Sequence, residues 1–165
     1  MRLLLTLLAA LLVLGLVVGA GLTWAGGGDF VDTLEETALG ADVTAAQRAR
    51  AAATTGLEVP ATATWHAYRF HSSLDPSLDA LFTLPTADAE SLLARPPLGD
   101  ALWRDAPGVP TLDAALADWP AWPTTGATVP GRAATVDLAP GRTLAVTVGE
   151  PAPGTRTLRL SWQTY

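Results

Sequence analysis

The stretch from Trp65 to His71, "WHAYRFH", holds the only two histidines of the chain among three aromatic residues and one arginine. Imidazoles can bind metal ions or act as general bases, so this stretch is the first place to look for chemistry. Its alternating pattern is typical of a β-strand, and an odd separation puts His66 and His71 on opposite faces of a sheet. His66 then shares its face with Tyr68 and Phe70. Only a β-bulge would bring both histidines to one metal ion, so we interpret them as structural residues of a strand.

Other candidate catalytic groups near the histidines are generic. Two serines follow His71, but no nucleophile-elbow motif surrounds them. Asp75 and Asp79 could add carboxylates for a hard cation, although acids in such a segment are typical turn formers. No glycine-rich phosphate loop is present. The sequence predicts no catalytic residue, no metal site and no cofactor; the alternative is a small extracytoplasmic hydrolase or metal-dependent enzyme that uses His66 or His71.

The composition excludes several classes of protein. The chain has 165 residues, sixteen acids, ten basic residues that are all arginine, and no cysteine. The arginines are scattered and the net charge is −6, whereas nucleic-acid binding requires a clustered positive surface. Without cysteine there is no disulfide, no thiol nucleophile and no cysteine-bound zinc. We therefore expect no nucleic-acid partner.

The amino terminus has the pattern of a membrane anchor. The segment from Leu3 to Trp24 carries no charged residue, and at about 1.5 Å per residue its helix would be roughly 33 Å long, enough to cross a bilayer. Arg2 precedes this segment and acids follow it, which predicts a cytoplasmic amino terminus and an outer remainder. We predict that residues 1–25 form a single transmembrane signal anchor in the plasma membrane.

A cleaved signal peptide is the alternative. Val18-Gly19-Ala20 and Thr23-Trp24-Ala25 both resemble small-residue cleavage sites, and cleavage would give a secreted protein. The apolar segment is longer than the roughly 7 to 15 residues of a signal peptide core, which favours retention. Both interpretations place the rest of the chain outside the cytoplasm.

Residues 26–41 are predicted to be a linker. Three glycines begin it, and the acidic stretch Asp29–Gly40 is typical of a solvated stalk or a short helix. Residues 42–165 then form one extracytoplasmic domain. Its first element is predicted as a helix over residues 43–53, capped by Thr44 and ended by Gly56.

The rest of the domain reads as strands and short helices. Residues 61–73 and Ala80–Pro85 are predicted to pair as a hairpin, and helices are predicted over residues 87–95 and 111–119. Three alternating strands follow, separated by proline–glycine turns at Pro140 and Pro153. This order predicts an α+β fold with helices on one face of a mostly antiparallel sheet of about five strands.

The arginine-only, alanine-rich composition and the segment "TTGLEVPATA…LDALFTLPTADAESLL" carry a resemblance. They resemble small exported or membrane-anchored proteins of high-GC actinobacteria, most of them of unknown function. The resemblance covers residues 55–93 and rests on a pattern rather than a motif. It implies a place in the cell envelope and brings no active site with it.

The tryptophans near residue 120 suggest a binding surface. Trp119 continues the apolar stripe of the preceding helix and is predicted to be in the core. Trp122 lies beyond that helix between two prolines, a rigid setting in which an exposed indole is typical of an interaction hot spot. The alternative is that Trp122 folds back as a lid on the sheet together with Trp103. The sequence thus predicts a non-catalytic, membrane-tethered domain that binds a protein or envelope component, with Trp122 and Trp103 as the candidate surface.

Overall fold

The structure, a computed structural model, describes residues 34–117, 119–121 and 126–165. They form a small α+β domain with a seven-stranded antiparallel sheet in the order β1-β2-β3-β9-β8-β7-β4. A second sheet contains only β5 and β6. The strands are β1 (Leu34–Leu39), β2 (Thr64–Ser72), β3 (Ser77–Pro85), β4 (Arg104–Asp105), β5 (Val109–Pro110), β6 (Thr128–Val129), β7 (Gly131–Ala139), β8 (Arg142–Ala152) and β9 (Thr155–Thr164). The helices are a 3-10 turn at Gly40–Asp42, α1 (Ala45–Thr55), α2 (Thr86–Leu93) and α3 (Leu112–Ala117).

The predicted membrane anchor, residues 1–25, lies outside the described residues, as do residues 26–33. Among the residues that the structure does describe, no helix has the length and apolar character needed to span a membrane.

The acidic stretch before residue 40 differs from the prediction. Leu34–Leu39 is strand β1, which pairs antiparallel with β2 from Leu34 opposite Ser72 to Leu39 opposite Ala67. The predicted linker over residues 26–41 is therefore wrong for residues 34–41, because the domain begins at Leu34 rather than at residue 42. The acidic composition suggested a solvated stalk, but Glu35 and Glu36 form ion pairs with arginines of β2 and α1, which are remote in sequence.

Helix α1 confirms the prediction of a capped helix. The hydroxyl of Thr44 accepts a hydrogen bond from the amide of Gln47 at 3.3 Å, and the Gln47 side chain accepts one from the amide of Thr44 at 2.8 Å. This reciprocal pair satisfies two amide groups that the first turn leaves without intrahelical partners. Gly56 ends the helix at φ 71°, a left-handed conformation that a side chain would disfavour.

The predicted hairpin and the carboxy-terminal meander are also confirmed. Strands β2 and β3 pair directly, and β7, β8 and β9 follow one another as antiparallel neighbours. Gly141 and Gly154 take φ values of 73° and 81° in the two intervening turns. The sheet has more strands than the five predicted because β1 and the two-residue β4 complete its edges.

The main core lies on one face of the sheet. Helices α1 and α2 cover this face with the buried side chains of Ala51, Ala89 and Leu92. The largest side chains beneath them are fully buried: Tyr68, Leu78, Phe82, Leu84, Leu144, Leu158 and Leu160. This face accounts for most of the apolar burial that stabilises the domain.

Fewer residues pack on the opposite face of the sheet. Helix α3 lies on this face, so the predicted placement of all helices on one face is wrong. Ala115 of α3 packs on Ala67 and Leu81, with Trp119 beside them, as predicted for a core residue. The apolar stripe of α3 was correctly predicted, but it packs against Ala67 and Leu81, which lie on the face opposite α1 and α2. The β5–β6 pair covers the same face near Gly149, where an added Cβ would lie 2.9 Å from a methyl carbon of Val109.

Candidate functional site

A β-bulge in β2 changes the geometry of the histidines. Trp65 pairs with Phe82 but Ala67 pairs with Leu81, so β2 contains one extra residue at His66. The imidazole Nε2 of His66 lies 3.0 Å from the hydroxyl of Thr83, on the face that Ala67 also occupies. The prediction that His66 lies beside Tyr68 and Phe70, on the opposite face from His71, is therefore wrong, because the bulge reverses the alternation.

The two histidines still lie apart. Ala67 and His71 are four positions apart in the extended strand, a distance of roughly 13 Å along it. Within the described residues, no three side chains of histidine, cysteine, aspartate or glutamate are grouped so that they could hold a metal ion. Partial burial lowers the pKa of His66, which keeps its imidazole neutral near pH 7.

Asp79, considered above as a carboxylate near His71, has a structural partner. Its carboxylate accepts a hydrogen bond from the guanidinium of Arg159 at 2.8 Å, and both side chains are largely buried. The same guanidinium donates to the backbone carbonyl of Pro120 at 3.3 Å. Asp79 and Arg159 thus form an ion pair that joins the sheet to the segment after α3.

Of the two tryptophans in the candidate surface, Trp122 lies outside the described residues. Trp103 is half-buried and packs against the main core. The guanidinium of Arg132 lies 5.0 Å from its ring centroid and donates to Glu90 at 2.8 Å. Trp103 therefore anchors the segment that leads into β4 instead of projecting freely from the surface.

The edge of the sheet next to Trp103 is open. Strand β4 pairs only with the start of β7, Arg104 opposite Ala133 and Asp105 opposite Arg132. Within the described residues, no strand therefore pairs with the side of β7 that faces away from β8 beyond Ala133.

Hydrogen bonding identifies the backbone groups that face this open side. The amide of Ala106 donates to the carbonyl of Gly131 at 2.8 Å, which shows that Gly131 points its backbone polar groups toward β4. In an antiparallel strand this direction repeats at every second residue, so Ala133, Thr135 and Asp137 point the same way. Ala133 is paired with β4, whereas Thr135 and Asp137 present N–H and C=O groups to the open edge.

A groove of about 620 Å³ lies along this edge. One wall is β7 from Ala133 to Asp137, and the other is the segment before and within β4. That second wall is formed by Pro97, Asp100, Ala101, Leu102, Arg104 and Asp105. Leu102 is 81% exposed, so an apolar side chain borders a row of free backbone groups.

The charge of this groove is predominantly negative. Asp100, Asp105 and Asp137 line it against a single arginine, Arg104. None of these four side chains is in an ion pair within the part of the chain that the structure describes. We define the β7 edge groove as the side of Ala133–Asp137 that faces away from β8, together with this lining. It combines shape, hydrogen-bonding groups and charge.

Comparisons of the chain with protein-family models, with curated proteins and with solved structures find no match.

Proposed function

We propose that this protein is a non-catalytic binding domain, tethered to the membrane by residues 1–25, that binds a protein partner outside the cytoplasm. The single observation that supports binding is the β7 edge groove. A strand edge with outward N–H and C=O groups can accept an extended segment of another protein as an additional strand.

Features of the groove favour this mode over a small-molecule site. Thr135 and Asp137 offer the regular spacing of hydrogen-bonding groups that an extended backbone matches. Natural proteins usually protect such edges, because an exposed edge pairs with other chains. Here the adjacent surface is lined by the exposed side chain of Leu102. An edge left open beside an apolar side chain is suited to a partner.

Placement of the domain can be tested by protease treatment of intact cells that express the full chain. Digestion of the domain in intact cells, with the protein found in the membrane fraction, is the expected result. Recovery of a shortened protein from the medium would contradict the tether and support the secreted alternative. Protection of the domain from protease in intact cells would contradict its outer location.

Binding at the groove can be tested with a photo-crosslinking amino acid at single positions of the full chain in those cells. Position 102 should give a crosslinked protein adduct. Leu74, which is 93% exposed in the β2–β3 turn, is the matched control and should give none. The same adducts from both positions, or none from position 102, would contradict binding at the groove.

The hydrolase alternative keeps one observation in its favour. The neutral imidazole of His66 lies 3.0 Å from the hydroxyl of Thr83, which is the distance between a general base and a nucleophile. A serine- or threonine-reactive phosphonate probe would label Thr83 if this pair were catalytic, and His66→Gln would abolish the labelling. We expect no labelling at Thr83 in the parent chain.

A further inference from the structure

We infer that the β7 edge groove selects a cationic, extended segment that places a basic residue opposite Asp137 and an apolar residue beside Val136. This inference rests on the proposed function and adds the chemistry of the partner. It follows from the register that an added strand would take beside β7.

The hydrogen-bonding direction sets this register. An antiparallel segment that continues the line of β4 would pair its backbone with Thr135 and Asp137, the two residues whose N–H and C=O groups face the edge. The partner side chains opposite these two residues would lie on the same face as the side chains of Thr135 and Asp137. The partner residue between them would point to the other face, beside Val136.

The position between them is apolar. Val136 packs against the main core, and Ala101 and Leu102 border the groove next to it. An apolar partner side chain at this position would cover part of Leu102, which is 81% exposed. Its burial would add to the backbone hydrogen bonds of the new strand.

The flanking positions favour positive charge. A basic residue opposite Asp137 would meet its exposed carboxylate as a cross-strand pair. Asp100 and Asp105 add to the negative lining of the groove, which holds Arg104 as its single basic residue. An acidic partner segment would place like charges together, which is unfavourable.

Charge also makes a second copy of this chain a poor occupant. The chain carries a net charge of −6, and its β1 edge, Leu34–Leu39, contributes Glu35 and Glu36. Arg50 and Arg69 are already paired with these glutamates, so the β1 edge of a second copy would offer the groove no free positive charge. A cationic partner is favoured by the local lining and by the charge of the whole chain.

The test measures binding of three synthetic peptides to the full chain in lipid nanodiscs of neutral lipid. The first alternates arginine and valine, the second replaces arginine with glutamate, and the third is the arginine peptide with N-methylated amides. We expect the arginine peptide to bind, the glutamate peptide to bind at least about tenfold more weakly, and the N-methylated peptide not to bind. Asp137→Arg leaves two acidic and two basic side chains in the lining and should abolish the preference for the arginine peptide, and Leu102→Ser should weaken binding of that peptide.

Matched controls lie in the β2–β3 turn, where Leu74 and Asp75 are exposed. Leu74→Ser and Asp75→Arg should leave binding unchanged. Equal binding of both charged peptides, with loss on N-methylation, would overturn the cationic preference and leave strand addition standing. Absence of all binding would overturn both. The inference would also be overturned if Asp137→Arg and Asp75→Arg weakened binding equally. It would likewise be overturned if the chain sedimented as a dimer and Asp137→Arg dissociated that dimer.

Discussion

Both edges of the sheet carry acidic residues, but the two edges differ in whether those residues form ion pairs. At β1, Glu35 accepts a hydrogen bond from the guanidinium of Arg69 at 3.1 Å, and Glu36 pairs with Arg50 and Gln47. The guanidinium of Arg50 also lies 5.1 Å from the ring centroid of Phe70. The carboxylates of β1 are therefore neutralised by the domain itself.

At the β7 edge the acids have no such partners in the described residues. Asp100, Asp105 and Asp137 line the groove without an ion pair, next to an exposed leucine. An edge whose charges are already paired offers little to an incoming strand, whereas unpaired acids attract a cation over several ångströms. Pairing of charge, rather than the number of acids, therefore distinguishes the protected β1 edge from the β7 edge that we propose to bind a partner.

The largest expected effect is a loss of unfolding free energy on a change in β7, the strand of the proposed binding edge. An added Cβ at Gly131 would lie 2.1 Å from the carbonyl oxygen of Val148 and 2.6 Å from a methyl carbon of Val109. Gly131→Ala must therefore separate β7 from β8 and should cost about 3 kcal/mol of unfolding free energy. Chemical denaturation measures this cost.

Gly108→Ala is the control for that substitution, because an added Cβ at Gly108 meets no atom within 4 Å. It should change the free energy of unfolding by less than about 0.5 kcal/mol. Equal stability of the two variants would show that β7 does not pack against β8 and β5 as described.

A smaller effect is expected when the protected edge loses an arginine. Arg50→Gln removes the ion pair with Glu36 and the contact with Phe70, but both charged side chains are substantially exposed. We expect a loss of at most about 1 kcal/mol in the free energy of unfolding. A loss of several kcal/mol would contradict the assignment of this pair to the surface.

Removal of both arginines from the protected edge tests whether unpaired acids are sufficient for binding. In Arg50→Gln/Arg69→Gln, Glu35 and Glu36 lose their partners, and the β1 edge becomes negative like the β7 edge. The double variant should bind the arginine–valine peptide at a second, weaker site by titration calorimetry. Unchanged stoichiometry would show that unpaired acids alone do not make an edge bind.

The smallest expected effect is the pH dependence contributed by His66. Burial lowers its pKa in the folded domain, so the unfolded chain takes up a proton first as pH falls below the ordinary histidine value of about 6.5. Stability should decrease from that pH down to the lower folded pKa, and then stop changing on this account. His66→Gln should reduce the fall in melting temperature between about pH 7.5 and about pH 5 relative to the parent chain. An equal fall in His66→Gln and in the parent chain would contradict this role of burial.

Local signals were sufficient for the elements that carry their own start and stop residues. Helix α1 begins after Thr44 and ends at Gly56 as predicted, and both turns of the β7–β8–β9 meander lie at the predicted proline–glycine pairs. Capping and turn formation depend on neighbours in sequence, which is why pattern reasoning succeeds there.

Features that depend on remote partners were not predictable. The residues of β1 read as a solvated stalk because the arginines that neutralise its glutamates come from α1 and β2. The bulge at His66 has no glycine to indicate it, and two-residue strands such as β4 are too short to show alternation. The groove is a consequence of where β4 ends along β7, so neither Leu102 nor Asp137 could be identified from sequence alone.

Addition of a partner strand to the open side of β7 should protect backbone amides on that side, and hydrogen exchange measures this protection directly. Exchange is measured residue by residue on the full chain, with and without the arginine–valine peptide. Strand addition should slow exchange at the amides of Thr135 and Asp137, whose N–H groups face the open edge, and should leave β1 unchanged. Peptide binding that leaves these two amides unprotected, or that protects β1 instead, would contradict it.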